Sequence, residues 1–358
     1  MPEGGLAFLW ESQAVLAKLS RALLAPLGAA FSAGVALRNG AYDRGLLRSH
    51  HLALPTIGVG NLTVGGTGKT PVSAWLADQL AARGERPAII LRGYGDDEQL
   101  VHARLSPGTA IIADADRVRG VARARAAGAT VAVLDDGFQH RRARRDADLV
   151  IISADRFGAV RPLPVGPWRE PLTSLVRATA IVVTRKAVSL ERARDVLSEA
   201  MRFAPHALGV VIDLTSDTLV NTVSGDRQPL AALAGDDALA ISAIGDPQSF
   251  ASQLRAAGAR VTANAFPDHH HFSAADVASL SNSGRRAKWV VCTLKDAVKL
   301  EPRWPREGPS LWYLSQRVSV EMGREALGGL LAGLVSSSAP QINITPAPAG
   351  PTTEPNVP

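Results

Sequence analysis

Short apolar runs alternate with alanine-rich segments along most of the chain. The runs are rich in Val, Ile and Leu at successive positions, which is typical of strands covered on both faces of a sheet. The segments between them, such as residues 115–127, have a helical composition. This rhythm predicts a doubly wound, mostly parallel α/β sheet followed by a second, smaller α/β domain. The predicted strands are 55–60, 88–91, 131–134, 149–152 and 180–183 in the first set, and 208–212, 239–244, 260–264, 289–293 and 311–314 in the second.

Two segments without this rhythm predict the domain limits. Residues 215–228 are rich in Ser, Asp and Thr and form the predicted boundary between the two sets of strands. The tail is rich in Pro and Thr with no apolar periodicity, which predicts disorder. The predicted division is a membrane-associating helical segment (1–50), a core (51–214), a C-terminal α/β domain (215–339) and the tail (340–358).

The N-terminal segment predicts an amphipathic helix. Residues 22–37 are uncharged, a stretch shorter than the roughly 18 residues of a membrane span, and cations such as Lys18 and Arg38 flank it. We interpret it as an interfacial helix on an anionic membrane, with its apolar face among the headgroups. A helix packed on the protein's own core or on a partner subunit has the same pattern, and spanning or lying on the membrane stays open. The apolar positions, three or four residues apart, are Leu16, Leu19, Leu23, Leu27, Phe31 and Val35.

Charge and cysteine content narrow the classes of partner and compartment. The net charge of +6 favours anionic partners: phosphates, nucleic acid or an anionic membrane surface. The single cysteine, Cys292, lies in an apolar run and is predicted to be a buried core thiol. One cysteine forms no disulfide framework within the chain, which fits a reducing cytoplasm. We recognise no cleavable secretory signal.

A glycine-rich loop between a predicted strand (55–60) and a predicted helix (71–80) carries the most specific chemical signal. Its glycines let backbone N–H groups turn toward a phosphate chain, the lysine reaches the β- and γ-phosphates, and the threonine can ligate Mg²⁺. Thr63 stands where the common pattern has its first glycine, and a glycine turn with an incidental lysine is the alternative. The loop predicts a P-loop NTPase-like core that binds nucleotide through Thr63, Val64, Gly65, Gly66, Thr67, Gly68, Lys69 and Thr70.

Two adjacent acids follow another predicted strand. Asp135 and Asp136 come directly after the run 131–134, at the carboxyl end of a strand, where open α/β sheets bind ligands. A carboxylate there, near the P-loop threonine, is the Walker-B arrangement that completes Mg²⁺ coordination. Which of the two ligates the metal stays open, because the other can orient a nucleophile or cap a helix.

Other charged motifs fall after predicted strands. Arg92 is a candidate phosphate contact, with an ordinary glycine turn as the alternative. Residues 96–98 are three acids that by composition predict a solvated loop. Residues 269–271 are three successive histidines, which favour acid–base chemistry over a metal site because neighbours in a loop do not all converge on one ion. Residues 293–299 carry charge at a loop edge or at a solvated helix start.

Together, six motifs in this order resemble the tetraacyldisaccharide 4'-kinase family, the lipid A kinases of Gram-negative bacteria, from about residue 26 to residue 314. The resemblance implies that ATP and Mg²⁺ serve to phosphorylate the 4'-hydroxyl of a tetraacylated glucosamine disaccharide 1-phosphate at the cytoplasmic face of the inner membrane. It makes Thr63 the family's own form of the loop, and it implies no nucleic acid and no obligate protein partner. The motifs are residues 60–71, 92–95, 135–141, 166–171, 266–270 and 295–299.

The same resemblance implies roles for individual residues. The family pairs the aspartate of a Gly-Asp-Glu motif with the first histidine of an Asp-His-His motif as the base for the sugar hydroxyl. These match Asp97 and His269, with Asp96 as the alternative aspartate, and Lys69 and Asp136 complete the catalytic set. The residues expected to contact the acceptor are Arg92, Tyr94, Gln139, His140, Arg169 and Glu170.

Two other classes of P-loop protein are alternatives. A membrane-cycling regulatory ATPase also combines such a loop with an amphipathic helix, but it carries a lysine just before the two glycines, where this chain has Val64. A soluble kinase of a small metabolite would instead pack the N-terminal helix on its core.

Overall fold

The computed structural model describes residues 9–10, 12–93, 96–268 and 270–336, and for Asp96 only the backbone. The helices are α1 (Val15–Asp43), α2 (Lys69–Ala81), α3 (Asp96–Leu105), α4 (Arg117–Ala126), α5 (Leu190–Met201), α6 (Pro247–Ala256), α7 (Ala274–Gly284), α8 (Leu294–Leu300) and α9 (Arg324–Ser336). The strands are β1 (His50–His51), β2 (Thr56–Asn61), β3 (Pro87–Leu91), β4 (Ala110–Ala113), β5 (Val131–Asp135), β6 (Ala143–Arg144), β7 (Ala147–Ser153), β8 (Ala180–Arg185), β9 (Leu208–Asn221), β10 (Arg227–Pro229), β11 (Asp237–Ser242), β12 (Arg260–Ala265), β13 (Trp289–Thr293) and β14 (Leu311–Met322).

One continuous sheet joins the strands of both predicted sets. Its order in the described part of the chain is β12-β11-β13-β14-β9-β8-β7-β2-β5-β3-β4, with β10 beside β9. Neighbours along this order pair in parallel except β14 and β9, which are antiparallel. The predicted doubly wound, mostly parallel α/β fold is confirmed, and the sheet consists of two parallel halves that run in opposite directions.

This reversal turns the carboxyl edges of the two halves toward each other. Along β9, the first half ends at Asp213, which pairs with Arg185 at the end of β8. The second half ends near Leu219, since Leu219 pairs with Leu314, and Leu314 pairs with the last residue of β13. Six residues of strand span about 20 Å. Loops that follow strands of both halves therefore meet in one cleft.

Two strands are longer than their apolar runs predict. The strand predicted at 208–212 continues to Asn221, and the one predicted at 311–314 continues to Met322. The extra residues pair with one another in the antiparallel ladder, which satisfies their backbone groups although many of their side chains are polar and half-buried. The predicted boundary at 215–228 begins inside this ladder. The division into domains stays a prediction.

The P-loop helix α2 packs into the sheet as its sequence predicts. Leu76 and Leu80, one turn apart, are fully buried, and they join Ile57 of β2 and Val133 of β5 in one apolar cluster. The second half has separate clusters, one of which contains the buried Cys292, as predicted. Burial raises the pKa of this thiol well above its ordinary value.

Helix α1 lies on the protein with few buried residues. Its buried positions are Ala17, Arg21 and Gly28, while Leu19 and Leu23 are 62% and 81% exposed. The helix is long and apolar enough to cross a membrane, and 11% of its most apolar window is buried. Packing on the protein's own core accounts for only a narrow strip of this helix, so an exposed apolar face remains for another surface.

Candidate active site

The glycine loop runs from the end of β2 to the first residue of α2. Gly68 precedes the helix in the left-handed region, with φ of +91°, and a Cβ there would lie 2.4 Å from Leu214 Cδ1. Residues with a Cβ rarely adopt this φ, and a Cβ here would also displace the Leu214 side chain, so the position favours glycine. The first turn of α2 carries no acid and receives no side-chain cap, so its N–H groups are left for an anion.

The other parts of the loop are fixed by hydrogen bonds. Asn61 Nδ2 donates to Thr67 Oγ1 at 2.9 Å, and Thr184 Oγ1 donates to the Thr67 carbonyl at 2.9 Å. Val64 N donates to the Pro167 carbonyl at 2.8 Å. Thr63 forms an isolated antiparallel bridge with Trp168 and does not have a positive φ, so it needs no glycine. Thr63 can therefore replace the first glycine of the common P-loop pattern, because the backbone at this position is extended and pairs with Trp168.

The two adjacent acids have different surroundings. Asp135, the last residue of β5, is buried: His102 Nε2 lies 2.8 Å from its Oδ2, while Ser73 Oγ and Asp136 N donate to its Oδ1 at 3.3 and 2.9 Å. Asp136 has a φ of +53°, rare for a residue with a side chain, and its carboxylate is 41% exposed. A strained residue of this kind is typical of functional sites.

Asp136 lies between two cations. Lys69 Nζ is 3.5 Å from its Oδ1, and Arg169 Nη1 is 3.0 Å from its Oδ2. Burial opposes ionisation of Asp136, but Lys69 and Arg169 outweigh it and hold its pKa below the ordinary value. The lysine of the nucleotide loop and the acid at the end of β5 therefore form one charged centre.

Arg169 connects this centre to the loop. Its Nη2 donates to Asn61 Oδ1 at 2.8 Å and to Asp136 Oδ1 at 3.2 Å, and its Nε donates to the Thr63 carbonyl at 3.2 Å. Gln139, also predicted to contact the acceptor, donates through Nε2 to the Asn61 carbonyl at 2.8 Å. Both side chains hold the P-loop and Asp136 in place in this structure.

His140 is half-buried, like Asp136, whereas Glu170 is buried. Burial, with Arg117 as the next cause, lowers the pKa of His140 to about 4, so the imidazole is neutral at pH 7. Glu170 is 3% exposed and pairs with Arg177, and its Oε2 also accepts from Asn39 Nδ2 at 2.9 Å. Because Asn39 belongs to α1, this contact ties the N-terminal helix to the segment that carries Arg169.

A cavity of about 530 Å³ opens between α1 and this segment. Phe31 and Val35 of α1 line it on one side, and Pro162 and Val176 line it on the other. Three buried polar atoms of lining residues have no hydrogen-bond partner among the described residues: Asn39 Oδ1, Glu170 Oε1 and Arg177 Nη1. The cavity thus combines apolar walls with polar lining residues, and these three atoms are themselves closed off from its space.

The predicted base lies at the start of α3. The acids at 96–98 begin a helix and not a solvated loop, and Asp97 is 7% exposed, with Lys299 Nζ of α8 at 3.3 Å from its Oδ2. His269 and Tyr94 lie outside the described residues. Of the neighbouring histidines, His270 stacks on Phe266, with 4.7 Å between ring centroids, and contacts Asp276 at the start of α7.

Two edges of the sheet meet at these residues. Asp97 follows β3 in the first half, whereas Lys299 follows β13 in the second. A second contact between the halves joins Arg156, after β7, to Asp246, after β11, at 3.7 Å.

Arg92, predicted as a phosphate contact, follows β3 and is exposed.

Sequence reasoning missed several residues of this centre. His102 is fully buried on α3, and Arg117 is 2% exposed with Nε and Nη2 unpartnered among the described residues. Asp296, within the predicted loop edge 293–299, is buried and accepts from Ala243 N at 3.1 Å. Arg117 lies in a run of arginines that suggests a solvated helix, and nothing in the local pattern marks His102 as buried.

The residues at the P-loop suit a hard cation. The hydroxyl of Thr70 and the carboxylates of Asp135 and Asp136 are oxygen ligands, and Mg²⁺ commonly combines one or two carboxylates with phosphates and water. Among the described residues no three His, Cys, Asp or Glu side chains form a metal cluster of their own. The donor set therefore fits a cation that arrives with a phosphate ligand.

Known proteins are similar to this chain over most of its length. A family model described as tetraacyldisaccharide-1-P 4'-kinase matches residues 20–109 and 95–335. A tetraacyldisaccharide 4'-kinase from Halorhodospira halophila is 38% identical over 335 residues, which cover 87% of this chain and 93% of that protein. A tetraacyldisaccharide 4'-kinase from Anaeromyxobacter dehalogenans is 37% identical over 327 residues, which cover 83% of this chain and 86% of that protein.

A solved structure extends the likeness to the fold. The crystal structure of LpxK from Aquifex aeolicus in complex with ATP matches with a TM-score of 0.70 and 26% identity, covering 88% of this chain and 99% of that chain. The match therefore includes both halves of the sheet. The chain belongs to the tetraacyldisaccharide 4'-kinase family.

Proposed function

We propose that this protein transfers the γ-phosphoryl group of ATP to the 4'-hydroxyl of a tetraacyl glucosamine disaccharide 1-phosphate in lipid A biosynthesis, the reaction for which its relatives are named. The observation that carries the proposal is the pairing of Lys69 with Asp136 beside a cavity with apolar walls, whose lining includes Arg169, the second cation that contacts Asp136. A phosphate-binding loop and a cavity with apolar walls, both in contact with one charged centre, suit a kinase whose acceptor is a lipid.

The donor half of the mechanism rests on the loop. Backbone N–H groups from Thr63 to Thr70 and the Lys69 ammonium hold the β- and γ-phosphates, so Lys69 exchanges Asp136 for phosphate when ATP binds. Thr70 and either Asp135 or Asp136 would hold Mg²⁺, which supplies charge neutralisation on the phosphates. His102 and Ser73 support Asp135 as the more fixed of the two acids, and the exposed Asp136 faces the ligand.

The acceptor half rests on the cavity. Part of an acyl chain contacts its apolar walls, and hydroxyl or amide groups of the disaccharide pair with the polar side chains of Asn39, Glu170 and Arg177 that line it. Arg92, Tyr94, Gln139, His140 and Arg169 are the further residues that we assign to the acceptor side.

Proton removal belongs to Asp97 with His269, as the family resemblance implies. The pair takes the proton of the 4'-hydroxyl while its oxygen attacks the γ-phosphorus in line, and ADP leaves with the electrons of the broken P–O bond. The burial of Asp97 and its contact with Lys299 support a carboxylate held in one position.

The membrane is the place where this acceptor occurs. The exposed leucines of α1 insert at the headgroup level of an anionic bilayer, and the flanking cations contact lipid phosphates. The substrate cavity opens along the same helix, so the protein takes its acceptor from the bilayer. We assign the protein to the cytoplasmic face of the bacterial inner membrane, where ATP is present.

The test is mass spectrometry of the product formed from ATP and the 1-phosphorylated lipid disaccharide in detergent. We expect the gain of one phosphate, located at the 4'-position by fragmentation. Lys69→Ala and Asp97→Asn should each lower kcat by about a hundred-fold or more. Lys288→Ala is the matched control, because Lys288 pairs with Asp236 at the surface of the second half. ATP hydrolysis without phosphorylated lipid would refute the proposal.

A further inference from the structure

Helix α8 meets helix α3 through two ion pairs of opposite polarity. Lys299 of α8 contacts Asp97 of α3, and both side chains are largely buried, at 14% and 7% exposed. Two turns along α3, Arg104 pairs with Glu301, which directly follows α8, and it donates to the Thr222 carbonyl at 3.1 Å. Because α3 supplies the anion of one pair and the cation of the other, a shifted or reversed α8 would bring like charges together.

The start of α3 also concentrates negative charge. Burial raises the pKa of Glu98, and the charges of Asp135 and Asp97 raise it further, while Lys295 and His102 oppose them. Lys295 and Lys299 are four residues apart, so they lie on one face of α8. Among the described side chains, the titratable groups at this point are thus Lys295 and Lys299 of α8, Asp97, Glu98 and His102 of α3, and Asp135 of β5.

We propose that Lys299 is a positioning residue for phosphoryl transfer, which holds the Asp97 carboxylate charged and in place across the junction of the two halves. The inference rests on the proposed role of Asp97 as the base. Without Lys299, the buried Asp97 carboxylate would lose the ammonium that lies 3.3 Å from its Oδ2, which weakens both its preference for the ionised form and its fixed position. A protonated Asp97 accepts no proton from a sugar hydroxyl.

In this proposal the motif 295–299, which lies in the second half of the sheet, acts on a residue of the first half. Asp296 fixes the start of α8 by accepting from Thr293 Oγ1 at 2.6 Å and from Ala243 N at 3.1 Å. With that end fixed at the edge of β11 and β13, Lys299 lies one turn further along, at the point where α8 reaches α3. The second half of the sheet therefore contributes a cation to a base carried by the first half.

The experiment compares Lys299→Met with Arg104→Met in the full-length enzyme. We expect Lys299→Met to lower kcat about ten- to a hundred-fold with the KM for ATP changed less than about two-fold. The acid limb of the pH profile of kcat/KM should move up by about one pH unit. Arg104→Met breaks the other ion pair of the same interface, so it should lower the melting temperature but leave the acid limb in place.

A double-mutant cycle separates a role through Asp97 from a purely structural one. In an Asp97→Asn background, Lys299→Met should cause no further loss of kcat, because the group on which it acts is gone. Lys299→Arg keeps the cation and should restore the acid limb. If Lys299→Met does not fold by circular dichroism, Lys299→Gln replaces it in both comparisons.

Three results would overturn the inference: an unchanged acid limb in the Lys299 variant, an equal shift in Arg104→Met, or a full additional loss in the Asp97→Asn background. Failure of the proposed function has a different signature, because the unaltered enzyme would then form no 4'-phosphorylated lipid. Normal product formation with any of these three results removes the role of Lys299 alone.

Discussion

Replacing Arg169 by methionine should disconnect Asp136, a proposed catalytic residue, from the nucleotide loop. The guanidinium contacts both oxygens of Asp136, at 3.0 and 3.2 Å, and it also donates to Asn61 Oδ1 and to the Thr63 carbonyl. Methionine keeps the length of the side chain and removes these donors. Asp136 would then have Lys69 as its remaining cation, and the same lysine is needed by ATP.

The size of the effect follows from the kinds of bond lost. Hydrogen bonds to charged groups contribute about 1.5–3 kcal/mol and neutral ones about 1 kcal/mol. Arg169 and Asp136 are 23% and 41% exposed, so solvent screens their pairing and the lower end applies. A loss of about 3 kcal/mol in the transition state corresponds to roughly a hundred-fold decrease of kcat.

The assay is phosphoryl transfer from labelled ATP to the lipid acceptor, with ATP affinity and thermal unfolding measured in parallel. Arg145→Met is the matched control, because Arg145 also contacts both oxygens of an aspartate, Asp148, at 2.8 Å each, and does not touch Asp136. It is more buried than Arg169, so it should cost at least as much stability. A kcat of Arg169→Met within about three-fold of wild type, or an equal loss in Arg145→Met, would refute the reasoning.

Three further results are expected. Leu19→Asp with Leu23→Asp should leave the melting temperature unchanged, since both residues are exposed, and abolish flotation with anionic vesicles; undiminished flotation contradicts the role of α1. The pKa of His140 in the folded protein is lowered to about 4. The folded state is therefore favoured fully above about pH 6.5, and it loses stability as the pH falls toward 4, because the unfolded state takes up the proton first. His140→Gln should therefore remove about 2 kcal/mol of the pH dependence of urea unfolding in that range, a figure reduced for solvent screening because the imidazole is half-buried, and an unchanged slope would exclude the lowered pKa of His140. Gly68→Ala should weaken ATP binding by more than about ten-fold. Adding Leu214→Ala removes the crowding but leaves the positive φ, so we expect it not to restore binding. Recovery of binding in the double variant would assign the defect to crowding alone.

Short-range sequence patterns were sufficient to predict the strand and the helix on either side of the nucleotide loop. An apolar strand, a glycine loop and a helix with Leu76 and Leu80 one turn apart are short-range features, and β2 and α2 are observed where they predict. The prediction that acids fall at strand ends is confirmed in the same way, because β5 ends at Asp135. Family membership, predicted from six motifs, is confirmed by relatives that cover most of the chain.

The difference between Asp135 and Asp136 was beyond local rules. Both are carboxylates after one strand, and the sequence left open which ligates the metal. The structure separates them because Asp135 is still in the strand and points into the contacts with His102 and Ser73, whereas Asp136 is in a left-handed turn that exposes it to Lys69. His102 is 33 residues away in sequence, so only the packing of α3 against the sheet brings it to Asp135.

Polar composition gave a wrong prediction at two segments whose structure depends on a partner element far away in sequence. Residues 96–98 suggested a solvated loop, yet α8 arrives from the other half and covers Asp97 with Lys299. Residues 215–221 suggested a linker, yet they pair with β14 and continue the sheet. In both places the missing information was the partner element, which follows the segment by more than 90 residues in sequence.

The antiparallel pairing of β9 with β14 is what makes one site from two halves. A parallel sheet binds ligands outside its carboxyl edge, so each half alone offers one such edge. If β14 ran parallel to β9, both edges would point the same way, and loops after β13 could not lie against loops after β3. In the observed pairing the edges face each other, and Lys299 reaches Asp97 across the junction. The donor loop, the proposed base and the lysine proposed to hold it therefore depend on a ladder that contains none of them.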